Sequence, residues 1–289
     1  VLALLRTTSG FLAERGVAEP RLSAEHLLAH VLECRRLDLY LRFDRPVGDR
    51  ELAAYRAAVR RRLLGEPVQY ITGRAAFRGV ELAVDRRVLI PRPETELLVG
   101  EVLTWARAEA ARGRAPAEGW RLLDLGTGSG AIAIALALEL EGVGLMVGSD
   151  RSVGALEAAR ANATHAGAER VVFVGADGLE AFRPGLRFDA VISNPPYLAA
   201  GEGPALPAEV REWEPPEALF AGQRGDETLA RIVAGAPERL RDGGLLALEV
   251  ALGQAQGVRE RIRETPGLAF LASYRDFAGV ERGVLALAR

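Results

Sequence analysis

Along this chain the spacing of hydrophobic positions changes twice. Over the first ~65 residues they recur every three or four positions, the period of a helix with one apolar face. Leu27, Leu28, Val31 and Leu32 form one stripe, which Pro20 and Ser23 can open. Leu52, Tyr55, Ala58, Val59 and Leu63 form a second, which Asp49 is expected to cap and Gly65 and Pro67 to end. From Phe77 the period shortens. Phe77, Val80, Leu82 and Val84 lead through Asp85 and Arg86 to Val88, Leu89 and Ile90, which predicts a hairpin. Beyond Pro91, short apolar runs at 122–125, 145–148, 171–174, 190–193, 245–250, 269–274 and 284–288 alternate with helical stretches at 130–141, 153–166, 227–240 and 254–264. The Ala- and Arg-rich segment 106–118 reads as a helix followed by a linker. Alternation of this kind specifies an α/β fold, a seven-stranded mostly parallel sheet with helices on both faces. The last two runs have no helix between them and are expected to pair antiparallel at one edge. The predicted organisation is a helical bundle over 1–76, a linking β-hairpin over 77–95 and the α/β domain over 96–289.

Composition narrows the possibilities. With 49% hydrophobic and 26% charged residues, 289 residues make a globular chain of about two domains. The longest apolar run, 131–140, is about half of what a membrane span needs. One cysteine, Cys34, excludes a disulfide framework, and no secretory signal is read at the start, so a cytoplasmic protein is expected. The net charge of −2 hides a split: residues 1–90 carry 16 Arg against 11 acids, and residues 91–289 carry 21 Arg against 28. A +5 half and a −7 half suggest different partners for two domains, with Arg60, Arg61 and Arg62 as a candidate docking cluster. Every basic residue is Arg, and Asn occurs only at 162 and 194. His26 and His30 stand four apart, the spacing of a metal pair, but no third ligand is near in sequence, so they read as packing or surface.

Two segments carry chemistry. In Asp124-Leu125-Gly126-Thr127-Gly128-Ser129-Gly130, alternate glycines close the first strand of the sheet and open a helix. A ligand can lie against such bare backbone and face the amides of the helix start. Asp150 ends the next strand, where a carboxylate can accept both hydroxyls of a ribose. A nicotinamide dinucleotide would fit this pattern. So would S-adenosylmethionine, toward which Asp124 and Gly130 lean.

The second segment, Ser193-Asn194-Pro195-Pro196-Tyr197, follows the fourth strand. Two prolines hold the backbone extended and donate no amide hydrogens, leaving their carbonyls as acceptors. The Asn194 and Pro195 carbonyls can together accept both hydrogens of a planar NH2 group, on which Tyr197 can stack. An amide nitrogen is a poor nucleophile because its lone pair is delocalised. Two acceptors return density to it and aim it at an electrophilic methyl, with no strong base or metal required.

The Asn-Pro-Pro-Tyr quartet is shared by methyltransferases acting on planar NH2 groups. With residues 67–71, 90–96, 124–133, Glu209-Val210, Glu214-Pro215, Ala218-Leu219, Gly225-Asp226, Gly244, Leu248-Glu249 and Gln254, the chain resembles the HemK-type release factor glutamine methyltransferases over nearly its whole length. The resemblance implies a helical N-terminal domain that recognises the substrate and a Rossmann-like methyltransferase domain using S-adenosylmethionine. The implied substrate is the glutamine of the Gly-Gly-Gln motif in class I peptide chain release factors. It places Gly126, Thr127, Gly128, Ser129, Gly130, Asp150, Asp177, Gly178 and Asn194 at the cofactor. It assigns Asn194, Pro195, Pro196 and Tyr197 to the glutamine amide, and the 92–96 stretch to the same cleft. Gly178 stands where many members carry an aromatic residue beside the adenine. A monomer without membrane or nucleic-acid partners is expected. The rivals are a ribosomal-protein glutamine methyltransferase, a DNA adenine methyltransferase and a non-catalytic cofactor-binding scaffold. The acidic catalytic half argues against DNA, and intact Asn194 and Tyr197 against the scaffold.

Overall fold

The computed structural model describes all residues, 1–289. In chain order its first elements are α1 (Leu2–Glu14), α2 (Pro20–Val31), α3 (Arg36–Leu41), α4 (Asp49–Leu63), α5 (Val68–Thr72), β1 (Arg74–Phe77), β2 (Val80–Ala83) and α6 (Pro93–Ala111). Then follow β3 (Trp120–Leu125), α7 (Ala131–Glu139), β4 (Val143–Asp150), α8 (Val153–Ala166), β5 (Val171–Gly175), β6 (Phe188–Ser193), β7 (Leu198–Ala199), α9 (Ala208–Trp213), α10 (Pro216–Leu219) and β8 (Phe220–Gly222). The chain ends with α11 (Glu227–Arg239), β9 (Leu240–Glu249), α12 (Ala255–Glu264), β10 (Leu268–Arg275) and β11 (Glu281–Ala288). These form two compact units: Val1–Arg74 with Leu206–Trp213, and Ala75–Ala205 with Glu214–Arg289. Neither the hairpin nor the segment 206–213 thus falls where linear boundaries at 76 and 95 would put it. None of the helices is long and apolar enough to cross a membrane.

The first unit is helical. Its core is built from Leu5, Leu12, Leu27, Leu28, Leu39, Tyr55, Val59 and Ile71, all buried, with both sequence-predicted stripes facing inward. Glu25 on α2 accepts hydrogen bonds from Arg21, from Arg36 of α3 and from Tyr40. Burial would raise its pKa, but these three donors outweigh it and bring the value down to about 2. Two expectations are corrected here. Asp49 does not cap α4: Gly48 is the N-cap, and Glu51 reaches back to accept from its amide at 2.9 Å, so Asp49 is the first helical residue. Nor do the three arginines form a free cationic patch. Arg61 is paired with Glu66 at 2.5 Å. Arg62 is buried, donating to the Glu66 carbonyl at 3.1 Å and to Glu209 of α9 at 2.6 Å. The helical period places Arg62 on the inner face, and its charge is tolerated there because a carboxylate distant in sequence meets it.

The second unit is built on a seven-stranded sheet of order β10-β11-β9-β6-β3-β4-β5. The pairs from β9 through β5 are parallel, and β11 runs antiparallel to both β9 and β10, as the missing helix between the last two runs predicts. Successive residues serve opposite cores. Leu122, Ala190, Ile192, Leu245 and Ala247 face the core under α6, α7 and α8, while Leu123, Val191, Leu246 and Leu248 face that under α11 and α12. Strands buried on both faces read as continuous apolar runs, which is why the sequence reveals them. The hairpin differs from the prediction. It is β1–β2, turning at Arg78 and Gly79, both with positive φ (45° and 78°), the geometry of a two-residue hairpin turn. Asp85 instead accepts from the Arg87 amide at 2.9 Å, forming a loop rather than a strand connection.

Replacing Arg62 by Ala strands Glu209 and the Glu66 carbonyl without their donor. The expected loss is about 2 kcal/mol of unfolding free energy, read as a lower urea midpoint. Arg60→Ala, at an exposed position, is expected to change it by less than about 0.5 kcal/mol.

Candidate active site

The sheet order reverses at β3, whose neighbours are β6 on one side and β4 on the other. Ligands bind outside the carboxyl ends of strands at such a point. The candidate residues stand there in a row: Asn194 after β6, the glycine loop after β3, Asp150 at the end of β4, and Asp177 shortly after β5.

The glycine loop is fixed from several sides. The amides of Gly126 and Thr127 both donate to the Ser149 carbonyl at 2.8 Å, and the Gly128 amide donates to Asp150 Oδ2 at 3.0 Å. Gly126, Gly128 and Gly130 have φ of 77°, 54° and 84°, which side chains rarely adopt, and nothing lies within 4 Å of a Cβ built on Gly126 or Gly128. The loop therefore leaves open space over bare backbone. Asp150 accepts from the Ser152 amide with its other oxygen at 2.9 Å, which orients the carboxylate. Below the loop, buried Asp124 accepts from the Thr127 hydroxyl at 2.6 Å and the Ala133 amide at 3.2 Å, while its Oδ1 has no partner. Burial, with the Asp150 charge adding to it, pushes the Asp124 pKa up to about 7. A glycine cradle open to a ligand and an oriented carboxylate on the adjacent strand fit the nucleoside part of S-adenosylmethionine.

Asn162 was not singled out by motif, yet it ties this loop down. Its Nδ2 donates to the carbonyls of Ser129 at 2.9 Å and Ala83 at 3.0 Å, and its Oδ1 accepts from the Ala83 amide at 2.7 Å. The available signal was composition, since it is one of only two Asn in the chain.

Beside the loop, Ser193 Oγ donates to the Leu125 carbonyl at 2.7 Å, joining the ends of β6 and β3. Asn194 follows, and its Nδ2 donates to Thr95 Oγ1 at 3.0 Å. Thr95 in turn donates to Glu249 Oε2 at 2.7 Å. Thr95 lies in the 92–96 stretch already expected in the cleft, whereas Glu249 carried no assigned role. Glu249 is buried at the end of β9, and this burial pushes its pKa up to about 7 despite the Thr95 hydrogen bond. Tyr197 is held from behind: Gln254 Nε2 donates to its carbonyl at 2.8 Å and to that of Gly225 at 3.1 Å. Burial, reinforced by the Glu249 charge, raises the Tyr197 phenol to about 12, so it stays neutral at physiological pH. Asp177 is engaged by Arg231, which donates to its Oδ1 at 3.1 Å and its carbonyl at 2.8 Å. A side chain at Gly178 would meet the same guanidinium at 2.7 Å, so Arg231 occupies the space that residue 178 leaves.

Fold and site together define a class, the S-adenosylmethionine-dependent methyltransferases. A family model described as the PrmC N-terminal domain matches residues 3–73, and one described as a methyltransferase domain matches residues 116–237. The release factor glutamine methyltransferase of Chlorobaculum tepidum is 45% identical, covering 100% of this chain and 97% of its own length. That of Geobacter sulfurreducens is 41% identical, covering 97% and 94%. Among solved structures, a methyltransferase from Pyrococcus furiosus shares the fold with a TM-score of 0.51 at 18% identity, over 73% of this chain and 90% of its own. The chain belongs to the release factor glutamine methyltransferase family.

Both buried acids have folded-state pKa values raised from the ordinary carboxyl range near 4 to about 7. Folding therefore favours their protonated forms. The stability they contribute is full below about pH 4 and is lost as pH rises through about 7. Burial shifts His26 and His30 downward, which acts in the opposite direction, so the informative quantity is a difference between proteins. Between pH 5.5 and 8, the melting temperature of cofactor-free Glu249→Gln is expected to rise progressively relative to wild type. A difference independent of pH would show that Glu249 does not titrate in this range.

Proposed function

We propose that this chain transfers one methyl group from S-adenosylmethionine to the side-chain amide nitrogen of the glutamine in the Gly-Gly-Gln motif of class I peptide chain release factors. The observation that carries this reading is the orientation of Asn194. Its NH2 end is tied to Thr95, so its carbonyl oxygen is left to accept from a substrate. Asn194 follows β6, which pairs with β3, the strand that leads into the glycine loop.

When bound, S-adenosylmethionine supplies a methyl group on a positively charged sulfur, open to displacement by a nucleophile. The rest of the chemistry belongs to the protein. Gly126, Thr127, Gly128, Ser129 and Gly130 offer backbone against which the donor would lie, and Asp150 would accept from its ribose hydroxyls. Asp177 and Gly178, with Arg231 bound to Asp177, would stand at the donor's adenine base. The Asn194 and Pro195 carbonyls would each accept one hydrogen of the glutamine NH2, raising the electron density on its nitrogen and fixing its orientation. Pro196 keeps this backbone extended, and Tyr197 packs on the amide plane. With the Tyr197 phenol raised to about 12, its role is contact rather than proton abstraction. The surplus proton passes to water, because a nitrogen-protonated amide is a strong acid. The helical unit is the proposed recognition surface for the release factor, and the enzyme acts as a cytoplasmic monomer.

The test is to incubate the enzyme with methyl-labelled donor and, separately, a class I release factor, ribosomal protein and DNA. Label is expected on the Gly-Gly-Gln glutamine alone, located by peptide mass spectrometry. Label found only in DNA or in ribosomal protein would overturn the assignment. Asn194→Ala is expected to lower kcat by about 100-fold or more. Tyr197→Ala should reduce transfer while donor affinity, measured by calorimetry, changes less than about threefold.

A further inference from the structure

We infer that Thr95 and Glu249 are positioning residues, a buried relay that fixes which end of the Asn194 carboxamide faces the substrate. The inference rests on the function proposed above. The two ends of a carboxamide have nearly the same shape, so packing alone does not choose between them. Only one choice serves this reaction: the oxygen must point to the glutamine NH2, because an Asn NH2 there would set donor against donor.

The relay makes that choice by counting hydrogens. Glu249, when ionised, can only accept, and it takes the single hydroxyl hydrogen of Thr95 at 2.7 Å. Thr95 Oγ1 is left with lone pairs, and at 3.0 Å from Asn194 it can bind only the Nδ2 end. The three residues come from α6, the end of β6 and the end of β9, separated in sequence by 99 and 154 positions along the two links. No exposed surface interrupts the Thr95–Glu249 link, since both residues are buried.

Protonation of Glu249 reverses the count. A neutral acid can donate to Thr95, whose own hydrogen then turns toward Asn194 and selects the oxygen end. The substrate would then face Nδ2. The charged and titratable groups around Glu249 are Glu94 on α6, Arg92 just before it, Tyr197 after β6, Tyr274 on β10 and Arg282 on β11. The two cations are engaged elsewhere: Arg92 donates to Glu214 at 2.6 Å and Arg282 to Asp276 at 2.8 Å. Tyr274 presents a buried hydroxyl without a partner. Glu249 is thus held by one neutral hydrogen-bond donor, and burial, with the Glu94 charge adding to it and the two arginines opposing it, raises it to about 7, which places the switch in the neutral range.

Steady-state kinetics with a purified class I release factor, from pH 5.5 to 9, tests the relay. Thr95→Val is expected to lower kcat by about 10- to 100-fold while calorimetric donor affinity stays within about twofold. Thr95→Ser, which keeps the hydroxyl, should recover kcat to within about threefold. Wild-type kcat should fall below about pH 7, and in Glu249→Gln, which folds around an isosteric neutral group, that acid limb should vanish. A wild-type kcat in Thr95→Val, or an acid limb that persists in Glu249→Gln, overturns the inference. If Asn194→Ala is inactive while Thr95→Val is unaffected, only the relay falls. If the wild type leaves the glutamine unmethylated, the functional proposal fails first.

Discussion

A parallel sheet covered by helices on both faces gives a polar side chain few places to survive, and the carboxyl ends of its strands are chief among them. Asp124, Ser149, Ser193 and Glu249 are all buried, and all stand at or next to such an end. A buried polar group that lacks a partner costs free energy. Each of these therefore binds a neighbouring loop or strand end: Asp124 the Thr127 hydroxyl, Ser149 Oγ the Asp124 carbonyl, Ser193 the Leu125 carbonyl, Glu249 the Thr95 hydroxyl. The site is the place where this requirement is met, and the loops that meet it are the loops that offer the ligand cradle.

How much of this was legible in the sequence depends on the range of the interaction. Strands β3, β4, β6 and β9 were visible because burial on both faces leaves unbroken apolar runs, and the antiparallel edge because no helix separates the last two. The glycine loop and Asn194 to Tyr197 were visible because turn geometry and proline restraint act between adjacent residues. What escaped reading was decided at a distance. The inward charge of Arg62 depends on Glu209, 147 positions away. The hairpin turn at Arg78 and Gly79 was hidden because a second apolar run at 88–90 offered an equally plausible partner. Glu249 was noticed only as part of a family pattern, since its use depends on Thr95, 154 positions earlier.

The two asparagines make the same point from the side of chemistry. Asn162 spends both ends of its carboxamide on Ala83 and Ser129, with three hydrogen bonds. Asn194 spends only one end, on Thr95. Composition marked both as unusual in an Asn-poor chain without distinguishing them. The difference between a staple and a ligand-binding group is the number of bonding positions left open, which is a property of the folded surroundings.

The return of Leu206–Trp213 to the helical unit has a consequence for how the protein is made. Translation proceeds at about 5–20 residues per second, and domains tend to fold as they emerge. Glu209 follows Arg62 by 147 residues, a delay of roughly 7 to 30 seconds at that pace. During this interval the five helices are on the nascent chain before Arg62 can meet the carboxylate it pairs with in the finished unit. The amino-terminal unit is therefore the first to be synthesised but cannot be the first to be finished. Its completion waits until strands β3 to β6 of the second unit have been synthesised.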